Sequence, residues 1–318
     1  MRNNKKKIII LSIVAIAFLV LFIVWGLTAK NYRFNLSIRI PKVFGILIAG
    51  TTISVASILF QTITNNRIIT PSIIGLDSLY GLVQTIVVFI FGSTSLFMVN
   101  KTLNFLLSSI LMVILAMILF KVVLKKGKNN IFFLLLVGTV IGTLFRSLSS
   151  FMQVIIDPNE FDALQAKLFA SFSLVNTKIL LVSVIILVII GLILYRDFNK
   201  LDVMSLGREQ AINLGVDYDK FSKKILVFVA ILVSLSTALV GPITFLGIIV
   251  VNLTYEITKT YKHSVLLIVG TLISIIALVG GQFLVERVFN FTTTISIIIN
   301  FIGGIYFINL LLKESKIW

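Results

Sequence analysis

The chain has 318 residues, 58% of them hydrophobic and only 13% charged, with a mean hydropathy of +1.11. That balance excludes an ordinary soluble domain and predicts an all-α polytopic membrane protein. The net charge of +16 does not indicate nucleic acid, because Lys and Arg sit in short segments between apolar runs and form no basic stripe interleaved with aromatics.

A helix needs ~20 mostly apolar residues to cross the hydrocarbon of a bilayer. Such segments are predicted at Ile8–Leu27, Lys42–Ile63, Ile73–Phe91, Leu96–Leu124 and Ile131–Ile156. They recur at Lys178–Tyr195, Phe221–Val240, a short Leu246–Ile257, Ser264–Val285 and Ile295–Leu312, about ten spans in all. Ile8–Leu27 is too long for the apolar core of a signal peptide and lacks a small-residue cleavage pattern, so it reads as the first span. An even number of spans leaves both termini on one side. Basic residues cluster at Arg2 and Lys5–Lys7, at Lys121, Lys125, Lys126 and Lys128, between Arg196 and Lys224, and at Lys259, Lys262, Lys313 and Lys316. The bias predicts N-in and C-in. Asp157–Asn176 falls outside and is partly amphipathic, as for one interfacial helix. No cysteine occurs, which excludes disulfides and thiolate chemistry, and the one histidine, His263, falls in a predicted loop beside Lys262.

Three stretches break the apolar pattern. In Gln61–Gly75, QTITNNRIITPSIIG, Pro71 disfavours helix at Thr70 and Gly75 permits close backbone contact. In Gly241–Gly247, GPITFLG, Pro242 ends one helix and leaves a short one after it. The polar island Asp202–Val216, DVMSLGREQAINLGV, predicts a short helix over Leu206–Leu214, with Asp202 or Ser205 capping its start and Gly215 ending it. Met204, Ala211, Leu214 and Val216 would form an apolar patch amid Arg208, Glu209 and Asn213, suited to a groove on a partner or, alternatively, to packing on the membrane face.

These stretches carry a family resemblance. Met204–Val216 is similar to the coupling segment L-S-L-G-x-x-x-A-x-x-L-G-V of iron–siderophore and vitamin B12 import permeases of the ATP-binding-cassette (ABC) class. The matches are Ser205, Leu206, Gly207, Ala211, Leu214, Gly215 and Val216, with Met204 for the first leucine and Arg208 within the variable positions. Gln61, Thr64, Asn66, Pro71 and Gly75 resemble the family's loop between spans two and three, with Arg67 where a proline is usual. GPITFLG resembles G-P-I-x-F-x-G, but Val251-Asn252 replaces the usual Pro-His, and TTTIS over 292–296 replaces E-L-P-x-G.

The resemblance implies one transmembrane permease domain over 1–318 of the type II ABC importer permease fold, with a cytoplasmic coupling segment at 200–217. It implies a bacterial cell-membrane permease translocating an iron(III)–siderophore, with the departures pointing to a catechol-type cargo; cobalamin or haem is the alternative. It further implies two copies of a cytoplasmic ATPase that uses the ATP, a second permease, the same or related, and an extracellular or periplasmic binding protein. By the same resemblance, Arg39 and Lys42 of Arg39-Ile40-Pro41-Lys42, together with Arg287, would receive carboxylates of the binding protein. The alternative for Arg39 and Lys42 is a headgroup anchor.

Arg146 falls mid-span, about 16 Å from the helix end at ~1.5 Å per residue. It must face protein or a wet path, because lipid exposure costs ~2.5 kcal/mol or more. In the family this span lines the central conduit, so the resemblance implies that Arg146, with Gln61 and Asn66 of the loop motif, borders the pathway; an interior pairing of Arg146 to a carbonyl or Gln153 is the alternative. Gly138 and Gly142, and the small-residue face Ala49, Gly50, Ser54, Ala56 and Ser57, suit close helix packing.

No G-x-x-x-x-G-K-[ST] occurs, so ATP would be used by a separate subunit. A gradient-driven transporter would need buried carboxylate relays, for which Asp77 and Glu256, both near predicted helix ends, are the candidates, with Glu286 near the outer surface. No H-E-x-x-H or nucleophile–base pattern predicts catalytic or metal-ligating residues, so the expectation is a transporter without an enzymatic site or bound cofactor.

Overall fold

A computed structural model describes the backbone of residues 2–28, 30–126, 131–173 and 175–314. Lys128 and Lys316, and the side chains of Arg2, Lys125, Lys126 and Lys313, lie outside the described residues.

The described chain is helical: α1 (Arg2–Val24), α2 (Tyr32–Thr64), α3 (Leu76–Phe91), α4 (Leu96–Val99), α5 (Lys101–Lys126), α6 (Ile131–Ile155) and α7 (Pro158–Leu168). Then follow α8 (Thr177–Met204), α9 (Arg208–Asn213), α10 (Tyr218–Val240), α11 (Leu246–Thr258), α12 (His263–Arg287) and α13 (Ile295–Glu314). Eight are long and apolar enough to cross a membrane, while α3 and α11 are apolar but shorter. At ~1.5 Å per residue these two reach only about 24 and 20 Å, less than the ~30 Å hydrocarbon core.

Both short helices follow non-helical backbone, 65–75 and 241–245. Pro71 and Pro242 are the chemical cause, since neither offers an N–H to a helix ladder. Thr244 Oγ1 donates to Asp77 Oδ2 at 2.9 Å, so the two breaks meet inside the bundle.

The spacing of apolar residues located the spans but not all their ends. α2 begins at Tyr32, well before Lys42, and carries Pro41 inside it. Pro41 marks no helix start here, because the turns before it are anchored by Arg39 on the end of α1. The predicted helix Leu96–Leu124 is divided at Asn100, whose backbone is extended. Its side-chain oxygen accepts from the N–H groups of Thr102 and Leu103 and so caps α5. The helix predicted to stop at Tyr195 continues to Met204, because Leu201 and Met204 are fully buried and Asp197 is ion-paired to Lys224 and Lys200. α7 forms where an interfacial helix is expected, with Asp157 accepting from Asn159 N and Pro158 in the first turn.

α2 is the central helix and packs on α8, α10, α11 and α12. Its small-residue face is packed rather than open. A Cβ on Gly247 would strike Ser57, and one on Gly270 would strike Ser54. Gly138 and Gly142 likewise admit Ile74 and Gly75, and a Cβ at Gly75 would collide with the backbone of Gly142.

Lys7 Nζ donates to Ile257 O (2.6 Å) and Tyr218 OH to Ile63 O (2.8 Å). These contacts gather the starts of α1 and α10 and the ends of α2 and α11 at the end that carries α9.

Candidate functional site

α9 is held by its flanks. Gly207 before it has φ +97°, a conformation costly for other residues. After it, Val216 N donates to Ala211 O (3.0 Å) and Gly215 N to Ile212 O (2.9 Å), with Gly215 at φ +84°. This is the Schellman closure that the glycine predicts. Arg208 bonds both oxygens of Asp219 at 3.1 Å and lies over the Tyr218 ring. Asp217 caps α10, and its bond to Lys220 holds its carboxyl below the usual range.

The apolar patch differs from the predicted one. Met204 and Ala211 are fully buried in the core, and Val216 is half-buried on it. The outward apolar residues are Leu206 (52% exposed), Ile212 (47%) and Leu214 (62%). The reason is that α8 continues through Met204 and turns it inward. Neither expected cap serves α9: Ser205 ends α8, and Asp202 lies inside α8. The Asp202 carboxylate instead accepts from the backbone N–H of His263 at 2.7 Å.

Gln61 and Asn66 come together. Gln61 Nε2 donates to Arg67 O (2.7 Å), and Asn66 Oδ1 accepts from Ile68 N (2.9 Å). Both line a cavity of about 460 Å³ with Asn65, Ser205, Tyr255 and Lys259 at the α9 end. Gln61 Oε1 is buried and has no hydrogen-bond partner. Arg146 lies elsewhere, exposed on α6 and within electrostatic reach of Asp77. Among the described residues Arg146 makes no bond to Gln153, whose Nε2 donates to Thr85 and Ser149. Leu144 and Leu148 beside Arg146 are also exposed, so this face of α6 is open in the single chain.

At the opposite end the predicted docking cations differ from one another. Arg39 is buried and donates to the Ile23 and Trp25 carbonyls at 2.5 and 2.8 Å, closing the end of α1. Lys42 is buried against Glu286 at 2.8 Å, and Gln282 donates to the same carboxylate. Arg287 alone of the three is exposed, touching Trp25 O at 3.3 Å. The sequence pattern found the cations but not the intramolecular groups that occupy two of them.

His263 is the residue whose setting the sequence concealed. It is not in a loop: it opens α12 and is fully buried. Its Nδ1 lies 2.7 Å from Asp202 Oδ1 and its Nε2 2.7 Å from Thr62 Oγ1. The available signal was a lone histidine at the start of a span. Among the described residues no group of three or more His, Cys, Asp or Glu could hold a metal ion.

The sequence model of the FecCD transport family matches residues 7–313. The chain is 55% identical over 316 residues to the petrobactin import system permease protein YclO of Bacillus subtilis, covering 99% of this chain and all of that one. It is 37% identical over 279 residues to the petrobactin import system permease protein FatC of Bacillus anthracis, covering 88% and 79%. A metal-chelate type ABC transporter solved in an inward-facing conformation superposes with a TM-score of 0.81 at 22% identity, covering 98% of this chain and 99% of that one.

Proposed function

The chain belongs to the FecCD transport family, and from that premise we propose that it is the membrane permease of an ABC importer whose cargo is an iron(III)–siderophore of the petrobactin type. The observation that carries this reading is the end-to-end relationship to a petrobactin permease, which leaves no unmatched segment of appreciable length in either chain. The transport step needs no chemistry on the cargo, and with no G-x-x-x-x-G-K-[ST] in the chain the ATP is used by a separate ATPase subunit.

In this reading the α9 end is cytoplasmic. Its basic residues, among them Lys5, Lys121, Arg196, Lys200 and Lys223, support that orientation. Leu206, Ile212 and Leu214, with Arg208 and Glu209 beside them, fill a groove on the ATPase. Two ATPase copies serve two permeases, with the open face of α6 turned toward the second permease so that Arg146 borders the shared path. A binding protein docks at the opposite end. Arg287 is its first contact there, while Lys42 can receive a carboxylate only by exchanging it for Glu286.

Uptake of radioactive iron, measured in cells with and without the chain, tests the cargo. We expect ferric petrobactin uptake to be lost with the chain and restored by its return, while uptake of a hydroxamate chelate and cobalamin is unchanged. Unchanged petrobactin uptake alongside loss of another cargo would contradict the assignment.

A further inference from the structure

Two buried side chains, His263 and Thr62, and the half-buried Asp202 join helices far apart in sequence. The ring of His263 in α12 bridges Asp202, in the last turn of α8, and Thr62, in the last turn of α2, with 2.7 Å at each contact. Asp202 also accepts from the His263 backbone N–H, so one carboxylate oxygen fixes both the ring and the start of α12. The order threonine, histidine, aspartate matches nucleophile, base and acid. Yet the Thr62 hydroxyl already donates to Ile58 O at 2.8 Å, which suits a structural tie.

A second tie reaches the adjacent residue. Tyr218, in the first turn of α10, donates its phenol to Ile63 O at 2.8 Å and is buried. Asp202 and Tyr218 belong to the two helices that flank α9. Both flanks of α9 are thus fastened to one place, the last turn of α2. That turn leads directly into Asn65 and Asn66 and the cavity at the α9 end.

We infer that Asp202–His263–Thr62 and Tyr218–Ile63 are a paired linkage that carries displacement of α9 into the end of α2 and the 65–75 break. His263 and Tyr218 are positioning residues of transport: they touch neither nucleotide nor cargo. Two links are needed because α9 joins its neighbours through glycines at 207 and 215, whose backbone is permissive and would otherwise absorb the motion. A bond lost at a buried site leaves its partner unsatisfied, which is worth about tenfold in a coupled equilibrium. The inference rests on the importer reading.

The test uses the full permease–ATPase–binding-protein complex in proteoliposomes, with ATP hydrolysis and ferric petrobactin import measured together. His263→Ala and Tyr218→Phe should assemble and hydrolyse ATP near the wild-type rate while import falls about tenfold. Asp202→Ala, which removes the acceptor of both His263 N–H groups, should lower import as His263→Ala does. A spin label at Asn66 should move on nucleotide binding in the wild type and stay still in the double variant. Import unchanged, or import and hydrolysis falling in parallel, would overturn the linkage. If His263→Ala does not assemble, Tyr218→Phe and Thr62→Val read the same ratio with smaller changes. A wild-type complex that imports no iron chelate would overturn the importer reading instead, whereas the label still reports on the linkage.

Discussion

Lys42 illustrates what a sequence motif holds and what it withholds. Its charge and its place after Pro41 were legible, and its partner was not, because Glu286 is 244 residues away. Both side chains of the pair are nearly inaccessible, so removing one leaves the other buried and uncompensated. Lys42→Met should therefore cost about 3 kcal/mol of stability, and adding Glu286→Leu should recover most of that loss. Unfolding in mixed micelles, taken as a double-mutant cycle, measures it; equal and additive losses would mean the pair has no stabilising role. His263 is the converse case. It was visible only as a lone residue, since its partners come from α8 and α2 and no local pattern joins them. Arg146 was placed by depth along its helix, but its exposure follows from how α6 packs on α3, and no spacing rule reports that.

At the scale of elements, the helices were legible and their ends were not. Apolar runs register the membrane-crossing middle of a helix, whereas ends are set by caps and by contacts with distant segments. Asn100 starts α5 with its own side chain, and Asp197 keeps α8 helical by binding Lys224. The island at 200–217 shows the consequence. Its glycine closure was readable from Gly215, yet its outward face was misassigned because the extension of α8 turns Met204 inward and α9 packs Ala211 into the same core. This separates two classes of substitution. Leu214→Asp should leave the permease folded and abolish ATPase capture, because Leu214 touches solvent in the isolated chain. Ala211→Glu should reduce accumulation of the permease itself, because a carboxylate would be forced into the core. Co-purification with the ATPase, normalised to permease in the membrane, distinguishes them. Equal loss of accumulation in both variants would contradict the assigned faces.

At the scale of the molecule, the class was legible from hydropathy and the family from the order of three motifs. The reason is that the lipid requirement acts on every span, so it is written throughout the chain. The arrangement of the bundle interior was not legible. It depends on two short helices whose breaks meet at Asp77 and Thr244, and on an α6 face that the single chain leaves open. A gradient-driven transporter would use an acidic relay at such a break. Asp77 is instead tied to Thr244 by a hydrogen bond across the two breaks. The most direct measurement is import into proteoliposomes holding the permease, its ATPase and its binding protein, energised by ATP alone or by an ion gradient alone. The account predicts ferric petrobactin import with ATP, none with the gradient, and none when the ATPase is omitted. Import driven by the gradient without the ATPase would contradict it.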